Sequence, residues 1–141
     1  MTRYLLDTNV ISETARTRPD ARVVRWISQL LAITLPAVAV YEVATGIQRL
    51  PAGGKRDFLE QWFAEILASE CEVLAFNEEA ALSCAALESQ ARERRQTIEN
   101  RDLFILAIAK ASGMGIATRN VAHFRGFGVA VYDPFNEIHL V

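Results

Sequence analysis

The chain has 141 residues, 51% hydrophobic and 23% charged, with 7 Gly and 4 Pro, a balance that suits one folded domain with a real core and excludes a disordered chain. Its formal net charge of −2 excludes a broadly cationic nucleic-acid binder, so any such site must be a local basic patch.

The opening, MTRYLLDTNVIS, reaches an aspartate at position 7 without the apolar core of a secretion signal. The first apolar run, residues 3–7 (RYLLD), has strand length. Val23, Trp26, Ile27 and Leu30 then recur at helical spacing. Residues 32–35 (AITL) read as a second strand, and Val40, Val43, Ala44 and Ile47 as a second helical stripe. After a loop at 51–55 (PAGGK), Phe58, Trp62, Phe63 and Ile66 form a third stripe. Residues 72–75 (EVLA) read as a third strand. Ala81, Cys84, Ala85 and Leu87 mark a fourth helix that runs out into the basic segment 92–95. Leu103, Leu106, Ala107 and Ala109 mark a fifth, stopped at Ser112-Gly113. Residues 114–117 (MGIA) and 128–132 (GVAVY) close the set of strands.

Short, nearly continuous apolar strands alternating with amphipathic helices imply βαβ units. The expected architecture is α/β: a three-layer α/β/α domain over 1–141 with a central five-stranded parallel sheet. No run approaches the roughly 18 to 20 apolar residues that span a bilayer. Cys71 and Cys84 form no CxxC pair and have no neighbouring His at ligand spacing, which suits reduced thiols. A soluble, cytoplasmic protein with no membrane association is expected.

The acidic residues follow from this topology. Asp7 closes the first strand, so it lies on the carboxyl edge of the sheet. Glu42 stands one to two turns into the helix after the second strand. Asp102 stands in the first turn of the helix before the fourth. Crossover helices start near the carboxyl edge, where open α/β sheets bind ligands, so the three can converge. Singly, each has an ordinary explanation: Asp7 as a helix cap, Asp102 as a partner of the helix dipole, Glu42 as a solvated side chain. Their apolar surroundings fit those explanations poorly. Three carboxylates in one pocket repel each other, and a divalent cation removes the problem. Oxygen donors without a His cluster point to Mg²⁺, or Mn²⁺, rather than Zn²⁺. Such an ion can activate a water against a phosphodiester.

The segments that hold these residues also resemble a known family. LLDTNVISE (5–13), PAVAVYEVATGI (36–47) and NRDLFILAIAKASGMGIATRNVAHF (100–124) resemble, in order and spacing, the three motifs of PIN-domain ribonucleases, in particular the VapC-like and FitB-like toxins. The likeness implies a PIN-like fold over essentially the whole chain and Mg²⁺-dependent endonucleolytic cleavage of RNA. It implies Asp7 and Asp102 as metal ligands, with Glu42 completing the catalytic acids. It implies Asn9 and Thr118 as supports of the substrate pocket and Arg119 as a phosphate contact. It further implies a homodimer and a cognate antitoxin protein. The chain departs from the pattern at Pro36, often Ser, and at Ala39, often Thr or Ser. At His123 many members carry a fourth acid. A neutral imidazole can donate to a phosphate or ligate a metal, or it can simply pack under Phe124. Three acids favour one tightly held ion over two.

Arg101, Arg119 and Arg125 flank the acidic pocket in sequence, and Arg92, Arg94 and Arg95 precede the loop leading to Asp102. Arg101 and Arg119 are expected on RNA phosphates, and 92–95 either there or as a solvated helix end. The aromatic residues Trp26, Phe58, Trp62 and Phe63 are expected in the core rather than on a ligand platform, with a dimer surface or a groove for an antitoxin helix as the alternative for some of them. A catalytically inactive PIN-fold scaffold is the alternative reading, with His123 as its support. A receiver-like signalling module fits less well: the third strand ends in Ala75-Phe76-Asn77, and no Lys follows Lys110.

Overall fold

The structure, a computed structural model, describes residues 2–140. Strand β1 (Tyr4–Leu6) leads into helices α1 (Thr8–Glu13) and α2 (Ala21–Ser28). Strand β2 (Ile33–Pro36) precedes α3 (Ala37–Gln48) and α4 (Gly54–Ala68), and β3 (Cys71–Leu74) precedes α5 (Glu78–Glu93) and α6 (Asn100–Ser112). Strand β4 (Gly115–Ala117) is followed by the single turn α7 (Val121–Phe124), then β5 (Val131–Asp133) and β6 (Ile138–Leu140).

Two-residue alternation along the strands sorts the core into two halves. Leu5 pairs with Ile116, which pairs with Val131, while Leu6 pairs with Ala117. Successive side chains point to opposite faces. Leu5, Ile116 and Val131 therefore pack with α5 and α6, and Leu6 and Ala117 with apolar residues of α1 to α4. This is the expected α/β sandwich with helices on both faces. Helix α6 is the most deeply set: Leu103 and every residue from Ile105 to Ala109 are buried.

All five expected strands form, and the β1–β4, β4–β5 and β2–β3 ladders are parallel. The expected single five-stranded sheet is corrected in two respects. The hydrogen-bonded ladder is divided into a four-stranded sheet, ordered β1-β4-β5-β6, and the β2–β3 pair. Strand β2 lies against β1 without a ladder, and it ends in Pro36, which has no N–H to offer a second neighbour. The sheet also gains β6, antiparallel to β5. Its turn is set by Asp133, whose Oδ1 accepts from the backbone N–H groups of Phe135 (2.8 Å) and Asn136 (3.3 Å). Glu137 completes the turn in the left-handed region (φ 57°).

The helical stripes need smaller corrections. In α5 the buried residues are Ala80, Cys84, Leu87 and Ala91, so Ala81 and Ala85 face outward. Alanine's short side chain makes such a stripe easy to misphase by one position. Phe58, expected in the core, is 58% exposed. Trp62 is half-buried and donates its indole N–H to Thr14 Oγ1 at 3.0 Å. Trp26 is also half-buried and packs on Tyr4 and Tyr132, with ring centroids 6.1 and 5.3 Å away. Phe63 is buried as expected. Both cysteines are free thiols. Among the described residues, no helix is long and apolar enough to cross a membrane.

Candidate active site

Parallel pairing continues one residue past the strands. Asp7 donates its backbone N–H to Ala117 O (2.9 Å), and Thr118 donates its own to Tyr132 O (2.9 Å). These bonds fix both residues on the carboxyl edge. Asp7 is wholly buried and caps α1: its Oδ1 accepts from the Thr8 N–H at 2.8 Å. The capping explanation is therefore correct for Asp7, but it uses only one face of the carboxylate. Oδ2 accepts from Thr118 Oγ1 at 2.7 Å and from the Asn9 amide at 3.4 Å.

Glu42, the sixth residue of α3, reaches the same edge. Its Oε1 accepts from Thr8 Oγ1 at 2.7 Å. Asp102, the third residue of α6, is 4% exposed, and its Oδ2 lies 2.9 Å from His123 Nδ1. His123 is thus a neighbour of the acidic pocket, and its side chain stays half exposed.

Arg101 sits between the three acids. Its Nε donates to Glu42 Oε2 at 2.5 Å, one terminal nitrogen to Asp102 Oδ1 at 2.5 Å, and the other to Asp7 Oδ1. Burial alone would lower the guanidinium's pKa. Hydrogen bonds and charge attraction from Glu42, Asp7 and Asp102 outweigh burial and push it above its ordinary value. The expected phosphate contact at Arg101 is therefore, in this conformation, an internal ion-pair centre. Sequence reasoning marked the residue as near the pocket but not as its filling.

The remaining residues take distinct places. Asn9 bridges the pocket to the β4 end: its Oδ1 accepts the Arg119 N–H at 3.1 Å, and its amide lies 3.4 Å from Thr118 Oγ1. Arg119 engages the pocket through its backbone, and its guanidinium lies over the Phe135 ring, 4.6 Å from the centroid. Arg92 pairs with Glu88, while Arg94 donates to Gly126 O and lies 5.5 Å from the Phe127 centroid. Arg92 thus lies on the solvated end of α5, while Arg94 ties that end to the 126–127 segment.

Two clefts meet at Glu42. One, about 820 Å³, runs between α1, α3 and α4 and carries Phe58, Leu59 and Trp62 under a rim of Arg16, Arg18 and Lys55. The other, about 420 Å³, is lined by Val38, Tyr41, Glu42, Arg101 and Phe104.

The donor chemistry of the acidic pocket suits a hard divalent cation: carboxylate oxygens from three elements already converge on a positive charge. Its present spread suits a guanidinium. Among the described residues no three His, Cys, Asp or Glu side chains stand gathered as metal ligands.

The PIN-domain family model matches residues 4–126, a span that holds Asp7, Glu42, Asp102 and Thr118. This chain belongs to the PIN-domain family. Toxin FitB of Neisseria gonorrhoeae is 35% identical over 139 residues, covering 94% of this chain and 99% of that protein. VapC ribonuclease Y4jK of Sinorhizobium fredii is 36% identical over 135 residues, covering 93% and 96%. The crystal structure of FitAcB from Neisseria gonorrhoeae superposes with a TM-score of 0.84 at 35% identity, covering 94% of this chain and 98% of that one.

Proposed function

We propose that this PIN domain is a divalent-metal-dependent endoribonuclease, the toxin of a toxin–antitoxin pair. One observation carries the reading: carboxylates from the end of β1, from α3 and from α6 converge at the sheet's carboxyl edge, where the Arg101 guanidinium balances their charge. The names of relatives 35–36% identical, a toxin and a ribonuclease, support it.

Asp7 and Asp102 are the proposed Mg²⁺ ligands, with Mn²⁺ as a substitute, and Glu42 completes the acidic set. When bound, such an ion lowers the pKa of a water and neutralises charge on a phosphodiester. The chain's own residues do the rest. Thr8, Asn9 and Thr118 hold the Asp7 carboxylate from the sides, so that it keeps its position as substrate arrives. Thr8 fixes Glu42, which orients a water from the α3 side. His123 and Arg119 offer donors to RNA phosphate at the rim. The proposed working form is cytoplasmic, a single domain spanning 1–141 and a homodimer. Its cognate antitoxin lies along the cleft of Phe58 and Trp62.

The test is RNA cleavage by purified Asp7→Asn and Asp102→Asn proteins, with Mg²⁺ and with EDTA. Loss of cleavage in both variants and in EDTA supports the reading; metal-independent cleavage, or full activity in both variants, overturns it. One observation favours a second reading, a PIN-fold scaffold without catalysis: Arg101 fills the space among the acids. Calorimetry in which neither Mg²⁺ nor Mn²⁺ binds would support that scaffold.

A further inference from the structure

The six carboxylate oxygens of the pocket divide cleanly. One oxygen of each acid is committed to the scaffold: Asp7 Oδ2 to Thr118 and Asn9, Glu42 Oε1 to Thr8, Asp102 Oδ2 to His123. The other oxygen of each acid accepts from Arg101, and among the described residues only Asp7 Oδ1 has a second donor, the Thr8 N–H. The side chain of Arg101 thus covers the inward set, the oxygens a shared cation would need. Its guanidinium is planar and presents nitrogens in several directions, so one residue can serve three acids at once. Removing it with nothing in its place would leave buried like charges uncompensated, at a large energetic cost.

We infer that Arg101 is a built-in counter-cation: it holds the acidic pocket together without metal and must be displaced from the inward oxygens before a divalent ion is bound. The inference rests on the metal reading above and adds a competition within the chain. The pocket exchanges an internal monovalent cation for an external divalent one. Metal affinity is therefore set partly by the strength of the Arg101 contacts. The displaced guanidinium, anchored on the first turn of α6, remains at the pocket mouth where an RNA phosphate arrives. This reconciles the substrate contact expected from the sequence with the ion-pair centre seen in the fold.

The experiment is calorimetric titration of Mn²⁺ into the wild-type chain, Arg101→Gln and Asp7→Asn, with thermal melts alongside. Arg101→Gln is expected to melt lower without metal. It should bind Mn²⁺ about tenfold or more tightly than wild type, the size of one lost competing charge-assisted contact. Its melting temperature should rise more on Mn²⁺ addition. Equal or weaker binding by Arg101→Gln overturns the inference while leaving the metal reading intact. Absence of Mn²⁺ binding by wild type and Arg101→Gln alike overturns both. Should Arg101→Gln fail to fold, the wild-type Arg101 Nε–Hε resonance reads the same event. It should be slowly exchanging in EDTA and shift or vanish at saturating Mg²⁺; an unmoved signal in metal-saturated protein overturns the inference.

Discussion

Thr118 Oγ1 donates to Asp7 Oδ2 at 2.7 Å while accepting the Asn120 N–H at 3.0 Å, and both Thr118 and Asp7 are wholly inaccessible to solvent. A single hydroxyl therefore ties the end of β4 to the carboxylate at the end of β1. Thr118→Val keeps the shape and deletes the bond, leaving a buried carboxylate oxygen one donor short. The expected loss is about 1–3 kcal/mol of unfolding free energy in urea, with Thr118→Ser close to wild type. A Val variant as stable as the Ser variant would show the hydroxyl to be dispensable.

Gly115 opens β4 directly beside Tyr4. A Cβ there would lie 2.7 Å from two carbons of the Tyr4 ring and 2.8 Å from the Ala130 carbonyl oxygen. The carbonyl belongs to backbone and cannot swing aside. Gly115→Ala is expected to destabilise by roughly 1–3 kcal/mol, as overpacking does. The displacement should reach the site through the β1–β4 register, since Tyr4 pairs with Gly115 three residues before Asp7. Amide shifts at Asp7 and Thr118 in a heteronuclear correlation spectrum check this.

What the sequence made legible follows from what periodicity encodes. The positions of Asp7, Glu42 and Asp102 along strands and helices were enough to bring their backbones to one edge, because strand ends and helix starts are fixed by topology. The filling of that edge by Arg101 was not legible, since a four-torsion side chain next to Asp102 can face solvent or the pocket with no change in pattern. Helix α1 is six residues long, too short to show a period, and its cap could be suspected only from Asp7-Thr8-Asn9. Strand β6 was missed because its IHL carries no apolar run; the turn-forming Asp133-Pro134-Phe135-Asn136 was the available signal. Phe58 shares a helical stripe with Phe63, yet it opens onto a cleft, which depends on how α4 is rotated against α3.

The turn at Asp133 makes a stability prediction. Asp133 is 3% exposed, and its carboxylate accepts from two backbone N–H groups and, at 2.7 Å, from the Asn136 amide. Asp133→Ala removes all three bonds and loosens the turn that leads from β5 into β6. The expected cost is about 2–3 kcal/mol by chemical denaturation, within the range for hydrogen bonds to a charged group. Asp133→Asn, which retains one acceptor oxygen, should recover part of it.

The thiols predict a pH dependence. Burial pushes the Cys71 thiol up, and burial with the nearby Glu88 charge pushes Cys84 up. Folded protein then holds the thiol protons to higher pH than unfolded chain does. The stability these groups contribute is complete below the unfolded thiol pKa and is lost as pH rises through the folded values. Labelling by a disulfide reagent at pH 8 should be slow in native protein, slower at the buried Cys84, and fast in urea. Native labelling as fast as in urea would show that the thiols are accessible.

The last prediction concerns the cleft of the proposed antitoxin. Phe58 exposes more than half of its surface, while its neighbours Leu59, Trp62, Val43 and Ile47 are wholly or partly buried, so its ring stands as an apolar knob inside a concave, basic-rimmed groove. Such a residue contributes little to folding, and Phe58→Ser should change stability by no more than about 0.5 kcal/mol. An apolar helix laid in the groove would enclose the ring, and losing an enclosed aromatic anchor typically costs a binding partner about 2 kcal/mol or more, roughly thirtyfold in affinity. Phe58→Ser should therefore keep wild-type RNA cleavage and melting temperature yet resist inhibition by the antitoxin. The check is a titration of inhibition with the two proteins side by side. Equal inhibition would move the antitoxin off this cleft. Lost cleavage in Phe58→Ser would instead tie the cleft to substrate, through the Glu42 that the two clefts share.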